Sequence, residues 1–497
     1  MLKQLKALTK DTFTYGMANV LGQIIGFVLL PVYTAYLSPK DYGIIAMLAM
    51  VSLFFRPIAA VGITNAIFRR FNLHLETEKQ ILALSTGSVF VFISSAIWLI
   101  LGLSLASQLT TFLVDDQQYE YLVYISLATS FFMSIGDIFT VVLRAQRKVT
   151  TLAVIRVSEI LITVCVSIYL VVVLELGIEG VLWGGLIGAL LSTLCLFAFS
   201  KNLLKWDFDR VELKALISYG APFLPHTLIG IANIFVGQYF IKSFVGLEEM
   251  GLFSIARKFA LPLSFVIGAI QSAWVPIKFQ IHREEGEGRK AIFRNLISIY
   301  FILIMFLFAG VVTLGPEILR WMTNPDYYEA SKLLPFVLLI FVARGTYFMM
   351  ATGFEFTNNT KPMPLVSGTG FLALIFITFL SKDYIGVYGI LSGMIISWWV
   401  MALIIRRLAI NRFYIPTNFI MVIGVLLNTI ILAVLIYYFQ RFSFSTRIVL
   451  ESITFLTYLI GIIIVLLKSS DLQELRQIKY LPFGKLNRLV VYFNRKI

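Results

Sequence analysis

Tyr36-Leu37-Ser38-Pro39-Lys40-Asp41-Tyr42-Gly43 makes a short polar turn between two long apolar runs, and about two hundred residues later Val245-Gly246-Leu247-Glu248-Glu249-Met250-Gly251 makes another. The flanks match as well. Tyr15-Gly16 opens the first hairpin and Tyr219-Gly220 the second, while Arg69-Arg70-Phe71 closes one and Lys278-Phe279 the other. The offset is 204 residues at Tyr15 and Tyr219 and 208 at both Gly43 with Gly251 and Phe71 with Phe279, so one small insertion aligns the copies. Farther along, Gly177, Gly180 and Gly184 recur at an offset of 209 as Gly386, Gly389 and Gly393. A match sustained over that distance marks an internal repeat, and the chain reads as two related halves.

The 497 residues are 59% hydrophobic and 14% charged, with a mean hydropathy of +0.87. That composition belongs in a membrane. The apolar runs are about twenty residues long, which is what an α-helix needs to cross the hydrocarbon layer, whereas a barrel would show alternating strands of about ten. An all-α polytopic membrane protein follows. The net charge of +14 would suit nucleic acid only if gathered on a soluble face. Here the basic residues sit in short loops between apolar runs, so no nucleic-acid partner is expected. Cys165 and Cys195 lie inside such runs and read as packing residues.

Apolar windows bounded by charged or turn residues predict fourteen spans. Six cover roughly 12–36, 42–66, 82–106, 119–143, 151–174 and 178–199, and six more cover 215–241, 251–276, 292–314, 332–354, 363–380 and 386–408. Two further spans near 418–438 and 448–467 have no counterpart in the first half. The expected organisation is a six-helix bundle over 1–199, a cytoplasmic connector over 200–214, a second bundle over 215–410, two additional helices over 411–467 and a cytoplasmic interfacial tail over 468–497. Lys and Arg placement tests the count, since cytoplasmic loops carry the excess. With the N-terminus inside, 29 of the 41 fall in cytoplasmic segments and seven, Lys242 among them, in outer loops. The other five, Arg56, Arg156, Arg257, Lys258 and Arg344, fall within spans. Both termini are therefore expected in the cytoplasm. Six spans per copy make the repeat parallel, about an axis along the membrane normal. Leu2, Leu5 and Leu8 alternate with Lys3, Lys6 and Lys10 as in an interfacial helix, and the first apolar run is too long for a cleaved signal.

Glycines at helical spacing, Gly22 with Gly26, Gly180 with Gly184 and Gly188, and Gly389 with Gly393, predict close helix contacts. Pro57 and Pro262 fall in corresponding helices of the two halves, where a kink is expected. Gly368-Thr369-Gly370-Phe371-Leu372-Ala373 fits a dinucleotide fingerprint but lacks the surrounding βαβ unit, so it reads as span packing. Asp207-Phe208-Asp209 has the form of a metal-binding Asp-x-Asp, yet the connector holds no catalytic domain. With three histidines and no Walker A, His-Glu-x-x-His or Gly-x-Ser-x-Gly sequence, neither enzymatic activity nor a resident metal or cofactor is expected.

The membrane-embedded ionisable residues carry the functional signal, because each costs about 2.5–3.5 kcal/mol at a helix centre. Arg56 and Arg344 are deepest, and Arg257 and Lys258 share the eighth span. Arg156 and Glu159 are three residues apart and share a helix face, as an internal ion pair would. Asp137 is the other deep acid and reads as a structural partner of one arginine or as a coupling group. Arg56 and Arg344 either line a cavity or form buried pairs. Five bases against two deep acids leave positive charge for an anionic ligand. Asn19 and Gln23 are four apart on the first span, and Asn233, Gln238 and Gln271 sit on its counterparts, which suggests a polar cavity between the halves. His226, beside Pro225, would hydrogen-bond or titrate there.

Tyr15-Gly16, the turn from Tyr36 to Gly43 with Ile44-Ile45-Ala46, Tyr219-Gly220-Ala221-Pro222-Phe223-Leu224-Pro225 and Gly251-Leu252-Phe253-Ser254-Ile255-Ala256 resemble the bacterial polysaccharide export proteins. These are the Wzx-type flippases within the multidrug/oligosaccharidyl-lipid/polysaccharide exporter superfamily, and the similarity runs from about residue 10 to about 410. The resemblance implies two six-helix bundles, alternating access and translocation of an undecaprenyl-diphosphate-linked oligosaccharide, such as an O-antigen unit of lipopolysaccharide, across the bacterial cytoplasmic (inner) membrane, and the surplus of embedded cations makes the expected cavity between the bundles cationic. It also implies a monomer that works with a polysaccharide polymerase and chain-length machinery, with coupling to H+ or Na+ left open. Where relatives often carry an acid-base pair this chain has Gln238-Tyr239, so no coupling role transfers to that position. The alternatives are a cation-coupled multidrug exporter of the same superfamily, or a flippase for another polyprenyl-linked precursor such as a peptidoglycan intermediate.

Overall fold

A computed structural model describes residues 22–73, 77–205, 207–283, 288–356, 362–410, 424, 427, 431–432, 434–436, 438–439 and 444–468. Among the described residues the regular structure is helical, without a strand. Ten helices among the described residues are long and apolar enough to cross a membrane, or eleven if one broken pair counts as a span. Of the others, the fourteenth expected span, 448–467, is the described helix Phe444–Lys468, which is not among those ten, and the first and thirteenth, like the N-terminal and C-terminal interfacial segments, depend on residues that lie wholly or partly outside the described ones.

The elements run α1 Leu30–Tyr36, α2 Pro39–Ala60, α3 Ile63–Leu73, α4 Thr77–Ser104, α5 Ala106–Val114, α6 Glu120–Ala145, α7 Val149–Ile168, α8 Gly177–Ser200 and α9 Arg210–Gly220. They continue as α10 Phe223–Phe244, α11 Leu247–Phe259, α12 Leu261–Arg283, α13 Gly288–Met322, α14 Ala330–Glu355, α15 Met363–Ile385, α16 Val387–Ile410 and α17 Phe444–Lys468. The polar turn at Tyr36–Gly43 is a helix start. Ser38 Oγ accepts the Asp41 N–H at 3.2 Å, Asp41 Oδ2 accepts the Ser38 N–H at 2.8 Å, and Pro39 occupies the first turn. This reciprocal cap satisfies donors that an uncapped helix start would leave without a partner along the chain.

The second, seventh and eighth expected spans are broken helices. The second divides at Val61 and Gly62, both with positive φ, so the kink expected at Pro57 lies four residues further on, and Pro57 stays inside α2. The seventh divides at Ala221–Pro222, between α9 and α10. The eighth divides at Ala260, and there Pro262 does open the following helix. The outer loop expected over 315–331 is mostly helix. The apolar window stops at Glu317 and Arg320, but α13 runs on to Met322, and Glu317 is paired with Arg447 of α17 at 2.6 Å.

By packing, the chain forms two units that divide it differently from the sequence repeat. The first comprises the described residues within 1–258, 320–330 and 374–393. In it α6 packs on α2, α4 and α8, and α8 packs on α7. The glycine contacts account for the closeness of the last pair. A Cβ on Gly184 would meet Ser167 Oγ at 2.0 Å, and one on Gly188 would meet Thr163 Oγ1 at 1.9 Å. Gly26, by contrast, faces open space.

The connector is docked. Lys205 N–H donates to Ser85 Oγ at 3.1 Å, Asp209 N–H donates to Thr86 Oγ1 at 3.2 Å, and Arg70 Nη2 donates to Glu212 Oε2 at 3.0 Å. Leu216 completes a core with Ile63, Ile67, Leu84 and Val142. Asp209 of the Asp-x-Asp is the N-cap of α9, its carboxylate accepting the Val211 N–H at 2.7 Å.

The second unit comprises the described residues within 259–319, 331–373 and 394–497. Its core joins Ala351 and Phe354 of α14, Val366 of α15, and Met401, Ile405 and Ala409 of α16. The additional helix α17 is fastened to α13, where Tyr458 Oη donates to the Met305 carbonyl at 2.9 Å.

Candidate functional site

Four of the membrane-embedded ionisable residues meet in the first unit. Arg56 comes from the last turns of α2, Asp137 from α6, and Arg156 and Glu159 from successive turns of α7. Arg56 grips Asp137 through its planar fork, with Nε donating to Oδ2 at 2.9 Å and Nη2 to Oδ1 at 2.7 Å. Arg156 Nη1 donates to Glu159 Oε2 at 2.7 Å, and its Nη2 donates to Thr140 Oγ1 at 3.2 Å and stands 4.0 Å from Asp137 Oδ1. Ser192 Oγ of α8 donates to Glu159 Oε2 at 2.8 Å. The helices can close around this network because Gly136 leaves room for Thr193 Oγ1, which a Cβ would meet at 2.9 Å. With Met133, Ser192 and Thr193, the four ionisable residues line a cavity of about 30 Å³, room for water.

Two guanidinium groups against two carboxylates make the cluster neutral. Arg56, expected as a cavity cation or as half of an ion pair, is paired with Asp137, and Arg156 is shared between Glu159 and Asp137. The surplus of cations lies elsewhere. Among the described residues no carboxylate pairs with Arg257, Lys258 or Arg344. Arg257 and Lys258 are half-buried at the end of α11, with the Lys258 ammonium 4.8 Å from the centre of the Tyr42 ring. Arg344 belongs to the second unit, where it is exposed on α14 with its guanidinium 5.8 Å from the centre of the Trp398 ring. Aromatic faces attract a cation without neutralising it.

Asn233 and Gln238 are buried on α10, and Gln238 Oε1 has no hydrogen-bond partner among the described residues. Gln23 is exposed and Gln271 half-buried. Asn19 and the side chain of His226 lie outside the described residues.

Two embedded lysines escaped the sequence reading because each sits near an apparent span end. Lys242, assigned to an outer loop, is buried within α10 and pairs with Asp115 at 2.6 Å. Lys278, assigned to a cytoplasmic loop, is buried on α12 and pairs with Glu355 of α14. Nearby, Trp274 Nε1 donates to Thr352 Oγ1 at 2.7 Å. The signal available was position: Lys278 lies at the same offset from Arg70 as Gly251 from Gly43, and Arg70 is paired too.

Residues 34–331 match the family model described as polysaccharide biosynthesis protein. Lsg locus putative protein 1 of Haemophilus influenzae is 22% identical over 404 residues, 78% of this chain and 95% of that one. Succinoglycan biosynthesis transport protein ExoT of Rhizobium meliloti is 22% identical over 268 residues, 54% of this chain and 52% of its own length. Among solved structures, the lipid II flippase MurJ in an inward closed conformation aligns with a TM-score of 0.65 at 16% identity, covering 89% of this chain and 97% of that one. An inward-facing multidrug resistance MATE family transporter aligns with a TM-score of 0.61 at 14% identity, covering 78% of this chain and 94% of that one.

Proposed function

This chain belongs to the polysaccharide biosynthesis protein family, a multi-pass inner-membrane flippase of the multidrug/oligosaccharidyl-lipid/polysaccharide exporter superfamily, and from that premise we propose that its substrate is an undecaprenyl-diphosphate-linked oligosaccharide, an O-antigen or other surface-polysaccharide repeat unit. The observation that carries the proposal is the trio of membrane-embedded cations, Arg257, Lys258 and Arg344, which have no carboxylate partner among the described residues. An unneutralised guanidinium in a membrane protein is expensive and calls for a compensating anion. The diphosphate supplies one, and the arginine fork matches its oxygens two at a time. The sugars and diphosphate cross by alternating access while the polyprenyl chain stays in lipid.

The test reconstitutes the purified chain in liposomes holding a fluorescent polyprenyl-diphosphate oligosaccharide and follows its exposure to an impermeant glycosidase. Movement of the lipid-linked sugar is expected, and Arg344→Ala should slow it at least tenfold at unchanged protein level, with Arg344→Lys keeping part of the rate. Efflux of cationic dyes without movement of the lipid-linked sugar would overturn the proposal in favour of a drug exporter.

A further inference from the structure

Lys242 is 4% exposed, although it stands at the end of α10 that the charge count places outside. Its ammonium is satisfied across the repeat. Nζ donates to the Phe112 carbonyl at 3.1 Å, pairs with Asp115 Oδ2 at 2.6 Å and lies 5.6 Å from the centre of the Tyr239 ring. Phe112 and Asp115 belong to the C-terminal turn and cap of α5, where Asp115 adopts φ +64. The last carbonyls of a helix lack partners along the chain and carry its negative end, so Lys242 meets both a helix terminus and a carboxylate. Beneath the pair, the Phe112 ring stacks on Tyr239 at 4.5 Å and on Phe235 at 5.9 Å. α5 comes from the first copy of the repeat and α10 from the second, and both lie in the first packing unit.

The pair is lopsided. The Lys242 side chain is 2% exposed, whereas that of Asp115 is 66% exposed, so the carboxylate already stands in water while the ammonium depends on α5 for its partners. Separation would return Asp115 to solvent at little cost, and the four-carbon stem of Lys242 could carry its ammonium to the surface. The stacked rings would part without stranding a buried hydrogen bond.

We propose that Lys242 and Asp115 form a latch that holds the outer ends of the two repeats together and must open for each release of substrate outside. This rests on the flippase reading above and on the orientation given by the charge count. It adds a regulating contact at the exit.

The test reads the latch separately from transport. In full-length protein with Cys165→Ser and Cys195→Ser, a reporter Gln238→Cys, one turn from Lys242, is exposed in native vesicles to an impermeant maleimide from the outer side. Parent protein should label slowly, Asp115→Asn and Lys242→Gln should each label at least about tenfold faster, and Lys242→Arg should stay slow. Inserted Asp115→Asn protein labelling at the parent rate overturns the latch. So does a fall in protein level with no gain in labelling among the molecules that insert. A reversible methanethiosulfonate cross-linker joining Asp115→Cys to Lys242→Cys should abolish movement of the lipid-linked sugar, and reductant should restore it. Undiminished movement after complete cross-linking also overturns the latch. If labelling responds as expected and the parent moves no lipid-linked sugar, the flippase reading fails and the latch stands.

Discussion

Gly43 and Gly251, equivalent positions in the two copies of the repeat, lie reciprocally against each other's hairpins. A Cβ on Gly43 would stand 1.9 Å from the Leu247 carbonyl oxygen, and one on Gly251 would stand 1.8 Å from the Pro39 carbonyl oxygen. Each glycine admits the backbone at the start of the other's helix, so the repeat read in the sequence is also a contact.

Gly43→Ala or Gly251→Ala would push side chain into backbone, which cannot swing aside as a rotamer can. Overpacking of this kind costs about 1–3 kcal/mol or more. Thermal unfolding in detergent should show a clear fall in midpoint for either variant. Gly185→Ala, where a Cβ would meet nothing within 4 Å, should change it little. Equal midpoints for all three would refute the close approach.

Arg56→Ala would leave Asp137 with only the longer contact to Arg156, and breaking an embedded pair typically costs about 3–5 kcal/mol. The two side chains are 38% and 26% exposed, so the cost should fall below that range through solvent screening. Membrane-inserted protein, quantified by fluorescence-detected gel filtration, should drop for Arg56→Ala and recover in Arg56→Ala with Asp137→Ala. A double variant no better than the single would mean that Arg56 does something other than balance Asp137.

Asp207 and Asp209 separate two readings of one motif. A metal-binding Asp-x-Asp needs both carboxylates, whereas in the structure Asp209 alone caps α9. Asp209→Ala should destabilise by about 0.5–2 kcal/mol in thermal unfolding, and Asp207→Ala should be nearly silent. Loss of sugar transport in Asp207→Ala at full stability would restore the metal reading.

Orientation is open to direct labelling. Cysteines introduced just after Arg69 or near Lys205 should resist impermeant thiol reagents added outside, and ones near Asp115 or Asp326 should react. The reverse pattern would invert the topology and move the proposed latch to the cytoplasmic face.

What the sequence determined by itself was what depends on near neighbours in the chain. Apolar runs of about twenty residues specify membrane helices because an unpaired backbone is intolerable in hydrocarbon. Three-residue spacing puts Arg156 and Glu159 on one face of α7, and they are paired. Glycines four apart expose backbone on one side of α8, and α7 packs there. The surplus of embedded cations was also legible, since it needs only counting.

The tertiary structure decided whatever depends on the residue opposite. Arg56 is matched to Asp137, 81 positions away, and nothing in either helix singles out that partner from the others within reach. Lys242 and Lys278 look like loop residues to an apolar window, which registers a charge as an edge; the partners they meet across the fold, Asp115 with the Phe112 carbonyl and Glu355, make those positions habitable inside a helix. Pro57 was a sound reason to expect a kink, yet the break falls at Val61 and Gly62, where Gly62 meets Gly220 closely enough that a Cβ would stand 2.1 Å from its carbonyl oxygen. A helix bends where a neighbour needs the room, and that neighbour lies more than a hundred and fifty residues away in the chain.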